Sequence, residues 1–213
     1  MRKVLLLFIP AAAICFSCKE NGEKPVTSDI PPTKVDSQKI KVNLPQANHY
    51  TLPDRSPMDM IYFPSDYAIQ KMSGKAASSP FMRVIYSRPQ KQNRRIFGDL
   101  VKYNIPWRLG ANESTEIEFF SPATVQDKKI KPGRYILYCI PQETKWTFVF
   151  NSNLYSWGLE QNRGKDLIQV DAPVEKNNVP IEYFTIACEP INDKSTNLVF
   201  IWDEIKTKLT ISF

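Results

Sequence analysis

The stretch "TKWTFVFNS", residues 144–152, decides the fold class. Trp146, Phe148 and Phe150 alternate with Thr147 and Val149, which places three aromatic rings on one face of an extended chain. Alternation of period two is the mark of a half-buried strand. The same pattern recurs on both sides. In "TEIEFFS" (115–121), Ile117 and Phe119 alternate with Glu116 and Glu118. In "EYFTIACE" (182–189), Phe184, Ile186 and Cys188 share a face, as do Leu198, Phe200 and Trp202 near the C-terminus. A polar turn at Asp203-Glu204 is expected next, followed by a strand with Leu209, Ile211 and Phe213 on one side. Pro132-Gly133, "NRGKD" (162–166) and "EPINDKSTN" (189–197) punctuate these runs with turn residues. Strands at roughly ten-residue spacing point to an all-β fold, an antiparallel β-sandwich or barrel with little helix. Ser65–Gly74 is readable as a short helix or a strand, and Lys91–Leu100 as holding one helical turn. Seventeen prolines argue against a helical fold.

Within this frame "IPWRLGANEST" (105–115) reads as a hairpin. Trp107 and Leu109 would face the core and Arg108 the other side. Gly110, Ala111 and Asn112 would make the turn, and Glu113 would open the partner strand. Cys139 and Cys188 lie in strand-like runs and read as buried small hydrophobes or as a disulfide.

The N-terminus carries a different signal. Arg2 and Lys3 precede an apolar run, Val4–Phe16, that is shorter than the ~20 residues a bilayer core demands. Ser17-Cys18 closes it. Residues 1–17 read as a signal peptide. A Cys after a small residue resembles the lipobox of bacterial lipoproteins, in which the Cys is diacylated. The position three before it holds Cys15, where the lipobox usually has Leu. An ordinary cleaved signal peptide or an uncleaved anchor are the alternatives. Residues 18–50 are proline-containing, charged and without apolar periodicity, so they read as a flexible tether spanning roughly 30 Å. Residues 51–213 remain for a single β-sandwich domain. The expectation is an exported protein, lipid-anchored to the bacterial cell envelope at the outer membrane. Its partner is then the membrane, through lipid on Cys18. An exported tethered protein has little access to nucleic acid.

The chemistry of the chain narrows its function. His49 is the single histidine, at the edge of the tether. This disfavours Ser-His-Asp and Cys-His catalysis and a His-based zinc site. No phosphate-binding glycine loop or nucleotide fingerprint is present, so no cofactor, no metal and no catalytic residue is assigned. Glu116 and Glu118 would place their Cβ atoms ~6.5–7 Å apart on one strand face, near the carboxylate spacing of glycosidases, which also describes an ordinary solvated face. Positive charge is less ordinary. Residues 83–108 hold Arg83, Arg88, Lys91, Arg94, Arg95, Lys102 and Arg108 against Asp99 alone. Arginine binds carboxylate and phosphate with two parallel hydrogen bonds.

The run 84–119 also resembles a known family. Tyr86-Ser87-Arg88-Pro89, Arg95-Ile96-Phe97-Gly98, Leu100-Val101-x-Tyr103 and Trp107-Arg108-x-Gly110-Ala111-Asn112 match domain-of-unknown-function family 2911, found in exported bacterial proteins. Later matches are Pro132-Gly133-x-Tyr135, Ile140-Pro141, Trp146-Thr147, Asn151 and Trp157-Gly158. The resemblance extends over roughly Pro57 to Phe213. Gln92-Asn93-Arg94 stands where the family commonly has Gly or Lys-Gly before the Arg, and Ser65–Pro80 is longer than usual. The family has no assigned activity. Together these readings point to a non-enzymatic binding domain for an anionic or sugar-like ligand. The candidate residues are Arg88, Arg94, Arg95, Arg108, Asn112 and Glu113. A carboxylate-dependent hydrolase acting on envelope glycans, or a structural envelope protein that binds partner proteins, are the alternatives.

Overall fold

The computed structural model describes residues 54–76 and 79–213. The stretches read as signal peptide and tether, with Cys18 and His49, lie outside them. In the domain, two antiparallel sheets face each other without closing into a barrel. The six-stranded sheet contains β1 (Met58–Phe63), β2 (Met82–Ser87), β3 (Glu116–Phe119), β6 (Gly133–Pro141), β7 (Lys145–Asn151) and β8 (Asp166–Pro173), paired in that order. The four-stranded sheet runs β5 (Lys128–Ile130), β4 (Ala123–Val125), β10 (Ser195–Ser212), β9 (Glu175–Asn192). The ambiguous segment near residue 70 is a helix, α1 (Tyr67–Met72). Lys91–Leu100 forms turns and no helix.

The alternation that announces the strands fills the space between the sheets. Trp146, Phe148 and Phe150 from β7 are buried, as are Ile117 and Phe119 from β3. Phe184 and Ile186 from β9 and Leu198, Phe200 and Trp202 from β10 face them. Phe148 and Phe200 meet across the layer with ring centroids 4.6 Å apart. Burying aromatic rings of this size supplies most of the drive to fold. Pro132-Gly133 serves where the chain leaves β5 in one sheet for β6 in the other. Gly133, at φ +146, takes a backbone conformation that side chains rarely adopt.

Two readings of the sequence need correction. No turn stands at Asp203-Glu204. β10 runs through, and Asp203 adopts φ +53 at a register irregularity. There the inward parity passes from the even residues Leu198, Phe200 and Trp202 to the odd residues Thr207, Leu209 and Ile211. A bulge keeps one face inward while shifting the count by one, which is why the sequence resembles two strands joined by a turn. Lys91 ion-pairs with Asp203 at this point.

The second correction concerns residues 105–115. They do not form a hairpin. Trp107 pairs with Cys139 of β6, and the amide of Leu137, two residues back along β6, donates to the Thr115 carbonyl. Both belong to the lane that β3 continues. Residues 108–114 are therefore an excursion from a single strand position. Leu109 at φ +56, Gly110 at φ +156 and Asn112 at φ +61 bend it.

Cys139 on β6 and Cys188 on β9 are free thiols in different sheets. Burial pushes the Cys139 thiol well above its ordinary range and that of Cys188 up to about 12, so neither is a ready nucleophile.

Candidate functional site

The excursion at residues 108–114 is held from inside. Trp107 Nε1 donates to the Gly110 carbonyl at 3.2 Å, and Thr115 Oγ1 donates to the Leu109 carbonyl at 2.6 Å. Leu109 is fully buried, and Gly110 lies against β2, where a Cβ would stand 2.9 Å from the Ser87 carbonyl oxygen. Only glycine fits so close an approach at this φ. The segment 155–159 packs beside the excursion, with Arg108 Nη1 donating to the Trp157 carbonyl at 3.2 Å.

These two loops and the basic segment enclose a cleft of about 320 Å³, within the range of small-molecule sites. Trp107, Pro106 and Leu100 give it an apolar wall, Trp202 from β10 reaches it, and Arg94 and Arg108 supply its charge. Among the described residues, no carboxylate, imidazole or thiol lines it. The arrangement can hold an anion carried on an apolar body.

The cations of residues 83–108 divide by their partners. Arg83 pairs with Glu118, Lys91 with Asp203, and Arg88 with Asp59 at 3.3 Å. Arg88 also donates to Thr185 Oγ1 at 2.9 Å and lies over the Tyr183 ring, tying β2 to β9. By contrast, Arg94, Arg95, Lys102 and Arg108 have no carboxylate partner among the described residues, and of these Arg94 and Arg108 line the cleft. Arg94 is exposed, and its Nε donates to the Lys91 carbonyl at 2.9 Å and its Nη2 to the Gln90 carbonyl, with no acid among its partners. Partial burial lowers the pKa of Arg108 from its ordinary value, because leaving water disfavours the charged form.

The six candidates from the sequence are thus dispersed. Arg94 and Arg108 share the cleft. Arg88 is occupied by its ties to Asp59 and β9. Arg95 lies back against Gly98 and does not line the cleft. Asn112 turns outward, its amide donating to Asp54 Oδ2 at 3.0 Å. Glu113 belongs to a neighbouring groove with Ser114, Tyr155 and Trp157. Glu116 and Glu118 are each held by an arginine, Arg134 and Arg83. No three His, Cys, Asp or Glu among the described residues gather as metal ligands. Sequence reasoning did not single out Leu100, Pro106, Gly158, Leu159 or Trp202 as cleft residues. Trp157-Gly158 was visible as a motif, yet nothing local says that it folds against Arg108.

Comparison with known proteins gives one match. The family described as a protein of unknown function (DUF2911) covers residues 68–211, and the chain belongs to it. No curated protein and no solved structure matches the chain.

Proposed function

We propose that this is a lipid-anchored protein of the bacterial cell envelope whose domain binds a small anionic ligand without transforming it. The observation that carries the reading is the pair Arg94 and Arg108. Both line one cleft, and neither has a carboxylate partner among the described residues, while three other cations of the same segment have one. Arg108, partly desolvated and without a counter-ion, gains most from an anion brought to it, because charge-assisted hydrogen bonds strengthen as water is excluded, and Arg94 adds a second, more exposed positive charge. The apolar wall of Leu100, Pro106 and Trp107 suits the carbon skeleton of a sugar acid better than a bare ion. Galacturonate and inorganic phosphate are the probes. Calorimetric titration is expected to give galacturonate the tighter binding, weakening as sodium chloride rises from 20 to 500 mM. No binding of either probe at low salt would contradict the reading.

The anchoring rests on Ser17-Cys18 closing a short apolar run. Two acyl chains hold a protein to a membrane stably, where one does not. Cys18→Ala is expected to leave the precursor uncleaved or to release the protein from the membrane fraction. Normal processing with full membrane retention in that variant would refute the assignment.

A further inference from the structure

A second concavity, about 440 Å³, lies on the other side of the 155–159 segment, with Ile85, Met58 and Glu116 among its lining residues. Its far wall is Tyr155 and Trp157, which are 82% and 55% exposed. Large aromatic side chains left in water call for an explanation when they border a concave surface. The segment that carries them is tied down at two points. Tyr155 adopts φ +62, and the Arg134 guanidinium lies 5.4 Å from its ring centroid, leaving the opposite ring face open. The Trp157 carbonyl is fixed by Arg108. Polar groups flank the rings. Ser114 Oγ and Ser156 Oγ are 3.2 Å apart, and Glu113 makes no ion pair among the described residues. Glu116 is already neutralised by Arg134.

We propose that this groove is a saccharide site. It sets the apolar face of a pyranose ring on Trp157 or Tyr155, while Glu113, Ser114 and Ser156 take the ring hydroxyls. Three features favour a neutral sugar over other occupants. The one charge without a counter-charge is a carboxylate, which accepts hydroxyl protons and repels anions. The backbone beneath Trp157 is tied to Arg108 and the Tyr155 ring rests on Arg134, which limits the freedom lost on binding. Trp157 lines this groove while Leu159, two residues on, lines the arginine cleft. The exposed apolar residues therefore point to two sides and do not form the single face that a membrane-inserting loop presents. The site is separate from the arginine cleft, and the inference does not rest on anion binding there.

The test uses chitotriose, maltotriose and cellotriose at 500 mM sodium chloride, where attraction of anions is suppressed. At least one is expected to bind with a measurable heat. Trp157→Ala and Tyr155→Ala are each expected to weaken that binding about tenfold or more, and Arg94→Ala to leave it unchanged. The exposure of both rings lets these variants keep the wild-type melting temperature. No binding of any of the three overturns the proposal, as does undiminished binding in both aromatic variants. Trp157-dependent binding to vesicles of phosphatidylethanolamine and phosphatidylglycerol, without saccharide binding, would mark a membrane contact and also overturn it.

Discussion

Trp107→Ala is expected to destabilise the domain by about 3–5 kcal/mol. Although the ring is only partly buried, it stands at the end of the sandwich and touches four other aromatics. Trp146 of the six-stranded sheet is 5.7 Å away between centroids, and Phe184 and Trp202 of the four-stranded sheet are at 5.0 and 5.9 Å. Phe97 completes the cluster at 6.1 Å. Removing the indole leaves a void between the layers and frees the Gly110 carbonyl that Nε1 bonds. Arg108→Ala, one residue on, gives up a hydrogen bond at the surface and should cost about 1 kcal/mol. Urea unfolding of the two variants checks this. If Arg108→Ala unfolds as readily as Trp107→Ala, Arg108 is a structural residue and the cleft loses its binding role.

Gly158→Ala is expected to have the second large effect, costing about 2 kcal/mol and disturbing both concavities together. At φ +81 the backbone is left-handed, and a methyl group would overlap Ser114 Oγ and lie 2.9 Å from Arg108 Cβ. Neither neighbour can retreat cheaply. Ser114 is buried in the excursion, and Arg108 is bonded to Trp157. The 155–159 segment would lift away, so affinity for an anion should fall along with the urea midpoint. A Gly158→Ala protein with wild-type midpoint and affinity would show that the contact between the two loops is slack.

The sheets were legible because each strand advertises itself locally. Trp146, Phe148 and Phe150 need only their own alternation to declare a face, and the buried rings agree. What was illegible depends on residues distant in sequence. Trp107 and Leu109 look like two positions of one strand, yet Leu109 reaches the core through a left-handed backbone after the lane along β6 has been interrupted. The partner that decides this, Cys139, is remote in sequence. Asp203 shows the same limit, since a bulge and a turn shift parity alike. The site fared likewise. The basic run was plain, but not which arginines are neutralised. Arg88 finds Asp59 and Arg83 finds Glu118 only because β1, β2 and β3 are neighbours in the sheet.

That division of the arginines is the centre of the account, and affinity for galacturonate at 20 mM sodium chloride tests it most directly. Three proteins are compared by calorimetry: the wild type, Arg94→Gln with Arg108→Gln, and Arg88→Gln. The double variant is expected to bind at least about tenfold more weakly, from the loss of charge-assisted hydrogen bonds. Arg88→Gln should bind like the wild type, because its guanidinium is already occupied by Asp59 and Thr185. Equal losses in both, or a loss confined to Arg88→Gln, would contradict the account.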